Sequence, residues 1–168
     1  MLTFSPVSVS FFIMALFTIG GGLGVVTTRN LVHAALFLVL SLFGIAGLYV
    51  LLEAPYLAVI QVLVYVGAIS ILITITVMVT RRLMGIEETY NRQWPIAAII
   101  SGLLGAGLIA LVVAQFGALT PVADVPVDNI EQLGRAFVTH QGFLLPFEVA
   151  SVLLLAAMIG SIVISRDV

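Results

Sequence analysis

An amide and a phenol one helical turn apart, Gln61 and Tyr65, lie in the apolar run VIQVLVYVGAISILITITVMVTRR, residues 59–82, with Gly67, Ser70, Thr74 and Thr76 further along it. Such a pair could hold water in a chain, and a glycine beside it lets the backbone deform or a neighbour approach closely. Proton conduction is the chemistry these residue types could support. A polar interface between helices is the plainer reading, and spacing alone does not separate the two. Ser70 and Thr74 need no chemical role, because hydroxyls can bond back to their own helix. Glu148, in FLLPFEVASVLLLAAMIG, stands about one and a half turns into another apolar run. A charge inside a membrane span is expensive by a few kcal/mol, so Glu148 marks either a functional site or a position that reaches water at the outer interface. A carboxyl taken out of water favours its neutral form and can pass on a proton. Glu53 stands between two apolar runs and reads as a solvated loop carboxylate or a second group on a proton path.

His33 and His140 are the only histidines. A histidine pair in a membrane bundle invites a haem reading. The span order places one near each surface, so the two cannot share an iron, and interfacial histidines with polar partners are expected instead. There is no cysteine, which excludes thiolate-held iron–sulfur clusters, cysteine zinc sites, thiol nucleophiles and disulfides.

The elements that position these groups follow from composition. Of 168 residues, 62% are apolar and 8% charged, with a mean hydropathy of +1.29. Soluble domains carry roughly a quarter charged residues, so the chain lacks the polar surface to stay in water. It reads as an all-α integral membrane protein, a single membrane domain over 1–168. No basic patch exists to neutralise phosphates, so no nucleic-acid partner is expected. The N-terminal run has no basic residue before it and no small-residue cleavage site, and reads as a permanent span rather than a cleaved signal.

Five runs are long enough to cross a bilayer, at about 7–26, 31–52, 56–80, 95–116 and 143–165. The first ends in GGGLG, which either loosens the helix end or admits a close neighbour. Asn30 suits an N-cap for the second, and Pro95 a first-turn proline for the fourth. LEAP, ending at Pro55, separates the second from the third. The extramembrane segment 117–142 holds Pro121, Pro126 and DNIEQLGRAF, in which Asp128 and Glu131 have capping-box spacing for a short surface helix. Alternating spans put Arg29, Arg81, Arg82, Arg92 and Arg166 on one side and Arg135 on the other. Five arginines against one places the N-terminus outside and the C-terminus inside.

On a regular helix, Gln61, Tyr65, Leu72 and Thr76 project within about 60° of one another, with Gly67, Ser70 and Thr74 on roughly the opposite side. Lipid would confine polar and small residues to one stripe, so two opposed faces imply a helix surrounded by protein. Ser101-xxx-Gly105, Gly102-xxx-Ala106 and Ala156-xxx-Gly160 mark the fourth and fifth spans for tight helix contacts. The chain reads as one component of a larger membrane assembly rather than a free-standing monomer.

Arg29, Asn30 and His33 opening the second span, Val64, Tyr65, Gly67 and Ala68 in the third, and Pro146, Phe147, Glu148 and Ser151 in the last together resemble one family. It is the membrane subunit of respiratory complex I, the proton-pumping NADH:quinone oxidoreductase, called subunit J in bacteria and subunit 6 in mitochondria. The resemblance covers nearly the whole chain; Leu31 and Ser70 stand where the family often has Pro and a small apolar residue. It implies a non-catalytic, non-redox subunit of a bacterial inner-membrane complex, surrounded by other membrane-arm subunits and lipid. FMN, iron–sulfur clusters and quinone would be bound by other chains. It also implies that the third span can hold a π-bulge beside Tyr65 and Gly67, whose rotation makes or breaks a water chain. Two other functions stay open: a stand-alone proton-coupled exporter using Glu148, and the equivalent subunit of a ferredoxin- or F420-dependent complex. An odd span number does not suit the exporter's simple inverted pair.

Overall fold

The computed structural model describes residues 5–80, 93–117, 128–140 and 142–166, and all regular structure among them is helical. The helices are α1 (Pro6–Thr27), α2 (Leu31–Leu51), α3 (Pro55–Thr80), α4 (Trp94–Phe116), α5 (Asn129–Val138) and α6 (Leu144–Ser165). All but α5 are long and apolar enough to cross a membrane. Arg81, Arg82, Arg92, Pro121 and Pro126, on which much of the expected loop pattern rests, lie outside the described residues.

Local chemistry sets the helix ends. The Asn30 side-chain oxygen accepts the Val32 N–H at 3.0 Å, satisfying one of the free amides of the first turn of α2. Prolines begin α1, α3 and α4, where a missing N–H leaves no bond unmade. At the end of α2 the N–H of Glu53 donates to the Val50 carbonyl at 3.1 Å and that of Ala54 to the Tyr49 carbonyl at 3.0 Å. This is a Schellman closure, and Glu53 sits in its left-handed position with φ 54°, where glycine is usual. The capping box expected of α5 does not form. Asp128 is the N-cap residue, but its φ of −91° and ψ of 20° lie outside the extended conformation that turns a cap side chain back onto the amides. Glu131 pairs with Arg135 one turn on, at 2.6 Å.

The chain divides into two compact units, residues 1–124 and 125–168. In the first, α1 and α2 pack with their backbones almost in contact. A Cβ on Gly21 would lie 2.7 Å from the Ser41 amide nitrogen, and one on Gly44 2.7 Å from that of Thr18. The Ser41 hydroxyl crosses the gap to donate to the Thr18 carbonyl at 2.8 Å. Of the two roles open to GGGLG, the structure shows close approach: α1 continues unbroken to Thr27. α3 packs on the other side of the buried α2 alanines, with Ala46 and Ala58 both buried. In the second unit α5 folds back on α6, with the Phe143 N–H donating to the Ala136 carbonyl at 2.7 Å and Phe137 stacked on Phe147 at 5.8 Å.

The small residues of the fourth and fifth spans make no tight contact within the described chain. A Cβ on Gly102, Gly105 or Gly160 would meet nothing within 4 Å, and no residue of α4 or α6 is buried. Their apolar faces are left open.

Candidate functional site

α3 is not a uniform helix. Pro55–Ile60 and Ser70–Thr80 are α-helical, and the nine residues Gln61–Ile69 between them form a π-helix. Its wider turn pairs each carbonyl with the amide five residues on, a rare geometry concentrated at functional sites. At its end Ser70 donates its backbone N–H to the Tyr65 carbonyl, and its hydroxyl donates to the same oxygen at 2.6 Å. Regular geometry then resumes, with the Thr74 hydroxyl donating to the Ser70 carbonyl at 2.7 Å and the Thr76 hydroxyl to that of Leu72 at 2.8 Å.

The wide turns rearrange the faces expected from a regular projection. Gln61 and Ser70 are nine residues apart, about two and a half turns of α-helix, and would point in opposite directions. Both are buried, at 6% and 1% exposure. The Gln61 amide donates to the Leu42 carbonyl of α2 at 3.3 Å. Tyr65, expected to share a face with Gln61, is 45% exposed instead. The residues least accessible along α3 explain why: Ala58 and Gln61, then Val66 and Gly67, then Ser70, Ile73 and Thr74. The step from Gln61 to Val66 is five residues where an α-helix takes three or four. That one additional residue turns Tyr65 outward and brings Ser70 inward.

Gly67 lies inside these turns. A Cβ there would stand 3.3 Å from the Val62 carbonyl oxygen, five residues back, so even alanine needs a small shift and a branched side chain a larger one. Beside the wide turn an apolar groove of about 410 Å3 opens between α2 and α3, lined by Phe43, Gly47, Val50, Ala58, Val62 and Leu63 among others.

Of the remaining residues singled out in sequence, Glu53 holds the left-handed turn joining α2 to α3. Glu148 is exposed in the second turn of α6, next to Phe147, whose carbonyl accepts the Ser151 hydroxyl at 3.0 Å. His33 is exposed in the first turn of α2, and His140 is exposed beyond the end of α5. No three of His, Asp and Glu among the described residues gather closely enough to hold a metal ion. Sequence reasoning gave Ser70 only a bond to its own helix and missed its second-donor role. The signal was there in part: Gln61, Gly67, Ser70 and Thr74 cannot all face one neighbour at regular spacing, yet all are polar or small.

The family model described as NADH-ubiquinone/plastoquinone oxidoreductase chain 6 matches residues 21–164. The chain belongs to this family. A protein of Methanosarcina mazei named F(420)H(2) dehydrogenase subunit J is 40% identical over 162 residues, which cover 93% of this chain and 89% of that one. The NAD(P)H-quinone oxidoreductase chain 6 of Leptolyngbya boryana is 41% identical over 162 residues, covering 94% and 79%. That of Synechocystis is 36% identical over 163 residues, covering 94% and 80%. As a member of the chain 6 family with five apolar helices, this is a multi-pass membrane subunit of a multisubunit NADH-quinone oxidoreductase complex. The matched region contains the whole wide turn, Glu53 and Glu148.

Proposed function

We propose that this chain is a non-catalytic coupling subunit, one whose third helix links quinone reduction elsewhere in the complex to proton translocation. The observation that carries this is the π-helical segment Gln61–Ile69, which places a non-regular, deformable stretch inside an apolar span. Repacking between wide and regular turns rotates one half of α3 against the other, and with it the outward-facing Tyr65 phenol. Such a rotation can join or interrupt a line of water without any redox change in this chain. Gly67 eases it, because no side chain collides with the carbonyl five residues back.

In this reading FMN, the iron–sulfur clusters and quinone are held by other subunits, in keeping with a chain that has no cysteine. Its neighbours are other membrane-arm subunits and lipid, which cover the open faces of α4 and α6. The membrane is the bacterial inner membrane, with the N-terminus outside and the C-terminus inside. Relatives named for F(420)H(2) and for NAD(P)H resemble the chain about equally, so the donor is set by another subunit. Gln61, Glu53 and Glu148 are the polar groups through which a proton path would run.

Purification from a membrane carrying the chain tests this reading. Co-migration with many partners and NADH-dependent quinone reduction supports it; isolation as a small homo-oligomer that exchanges protons for cations would establish the exporter instead. Within the complex, Glu148→Gln should lower proton translocation while leaving NADH oxidation by an artificial acceptor intact. Unchanged translocation would return Glu148 to an interfacial polar role.

A further inference from the structure

Two buried polar side chains bracket the wide turn, and they suit only one helical register. Gln61 begins it and is tied to the Leu42 carbonyl of α2; Ser70 follows it and is tied to the Tyr65 carbonyl. If the same nine residues wound as a regular helix they would make about two and a half turns, and one of the two would leave the face packed on α2. In the wide register they make about two turns, and both stay buried. In the regular register the Gln61 amide or the Ser70 hydroxyl would have to exchange its present partner for another, so the pairing favours the wide register.

Ser70 is the more unusual of the two. Among the described residues the other hydroxyls that bond back to their own helix reach three or four residues earlier, as Ser101 does to Ala98 and Thr18, Thr74 and Thr76 do to the carbonyl four back. Ser70 reaches five back, to the carbonyl that its own N–H already occupies, and does so at 2.6 Å and 1% exposure. In a regular helix the Tyr65 carbonyl would belong to the Ile69 N–H, and the Ser70 hydroxyl would have to release it.

We infer that Ser70 is a positioning residue: its hydroxyl, doubly satisfying the Tyr65 carbonyl, latches α3 in the wide-turn register and so sets how often the segment converts to a regular helix. This deepens the coupling reading, because the latch acts on the same element. It differs in what it asserts: the resting population of the two registers is set by one hydroxyl within this chain.

The experiment is electron cryomicroscopy of the assembled, detergent-purified complex, with particles sorted by the register of residues 61–69. Ser70→Ala removes only the hydroxyl and fits the same space. The ratio of wide-turn to regular particles should fall about fivefold, the equivalent of one hydrogen bond. Thr74→Val, which removes a hydroxyl with a four-back partner, should leave the ratio unchanged. An unchanged ratio in Ser70→Ala, or an equal fall in both variants, overturns the latch. Should Ser70→Ala not assemble, Ser70→Cys, whose thiol is a weak donor, must show the same shift in smaller measure, and no shift there overturns the latch as well. Proton translocation measured on the same samples separates the two claims. A shifted register with unaltered translocation leaves the latch standing and removes the coupling role of α3.

Discussion

The two contacts that α2 makes, with α1 on one side and α3 on the other, are built on different physics. Between α1 and α2 the backbones themselves touch: Gly21 and Gly44 sit where any Cβ would lie under 3 Å from backbone atoms of the opposite helix. A side chain at either glycine would collide, and the Ser41 hydroxyl spans the gap. Between α2 and α3 a long side chain, Gln61, reaches across to the Leu42 carbonyl at 3.3 Å. Directly after it the helix is wound wide, with its carbonyls in i→i+5 pairs. Membrane helices lack a hydrophobic drive toward one another, so close packing and hydrogen bonds decide which contact holds and which yields. The pair α1–α2 is built on backbone contact, whereas α3, in the proposed coupling role, is the element that changes register against it.

That contrast is broken most directly at its rigid half. Gly44→Val forces a branched side chain into the Thr18 backbone and should cost about 3 kcal/mol or more. The expected outcome is loss of the subunit from the purified complex, seen as absence of its band and of quinone reductase activity together. A complex that assembles with normal activity would show that the α1–α2 contact is as adjustable as the other. The smallest effect is expected at the turn that joins α2 to α3. Glu53→Gly relieves a left-handed backbone penalty of about 1 kcal/mol. The complex should then resist heat slightly better, whatever happens to translocation, because the carboxylate is lost as well. Unaltered thermal stability would mean that contacts of the Glu53 side chain offset the strain.

Much of the fold was legible in the sequence because lipid imposes simple rules. Uninterrupted apolar runs, Asn30, Pro55 and Pro95 located the spans and their starts to within a few residues. GGGLG left a loosened helix end and a close neighbour both open, and only the contact of Gly21 with the α2 backbone decided between them. The site was legible only by type. Gln61, Tyr65 and Gly67 stood out as residues that lipid disfavours, but projecting them at a fixed angle assumed a regular helix. One residue more per turn puts Gln61 and Ser70 together and separates Gln61 from Tyr65, and no side-chain type encodes that unwinding by itself. Resemblance supplied the expectation of a bulge near Tyr65 and Gly67; the extent of it, Gln61–Ile69, came only with coordinates. The α5 cap failed for a similar reason, since spacing places Asp128 and Glu131 correctly while the backbone at Asp128 is wrong for capping.

The central claim is that α3 must change register for proton translocation and need not for electron input. Gly67→Val places a branched side chain against the Val62 carbonyl oxygen, where a lone Cβ already stands at 3.3 Å, and so biases the segment away from its native exchange. In the assembled complex, NADH oxidation by an artificial acceptor should be unchanged, while protons translocated per NADH fall about fivefold, as a shift of roughly 1 kcal/mol in a two-state element would produce. Full translocation in an assembled Gly67→Val complex would contradict the account.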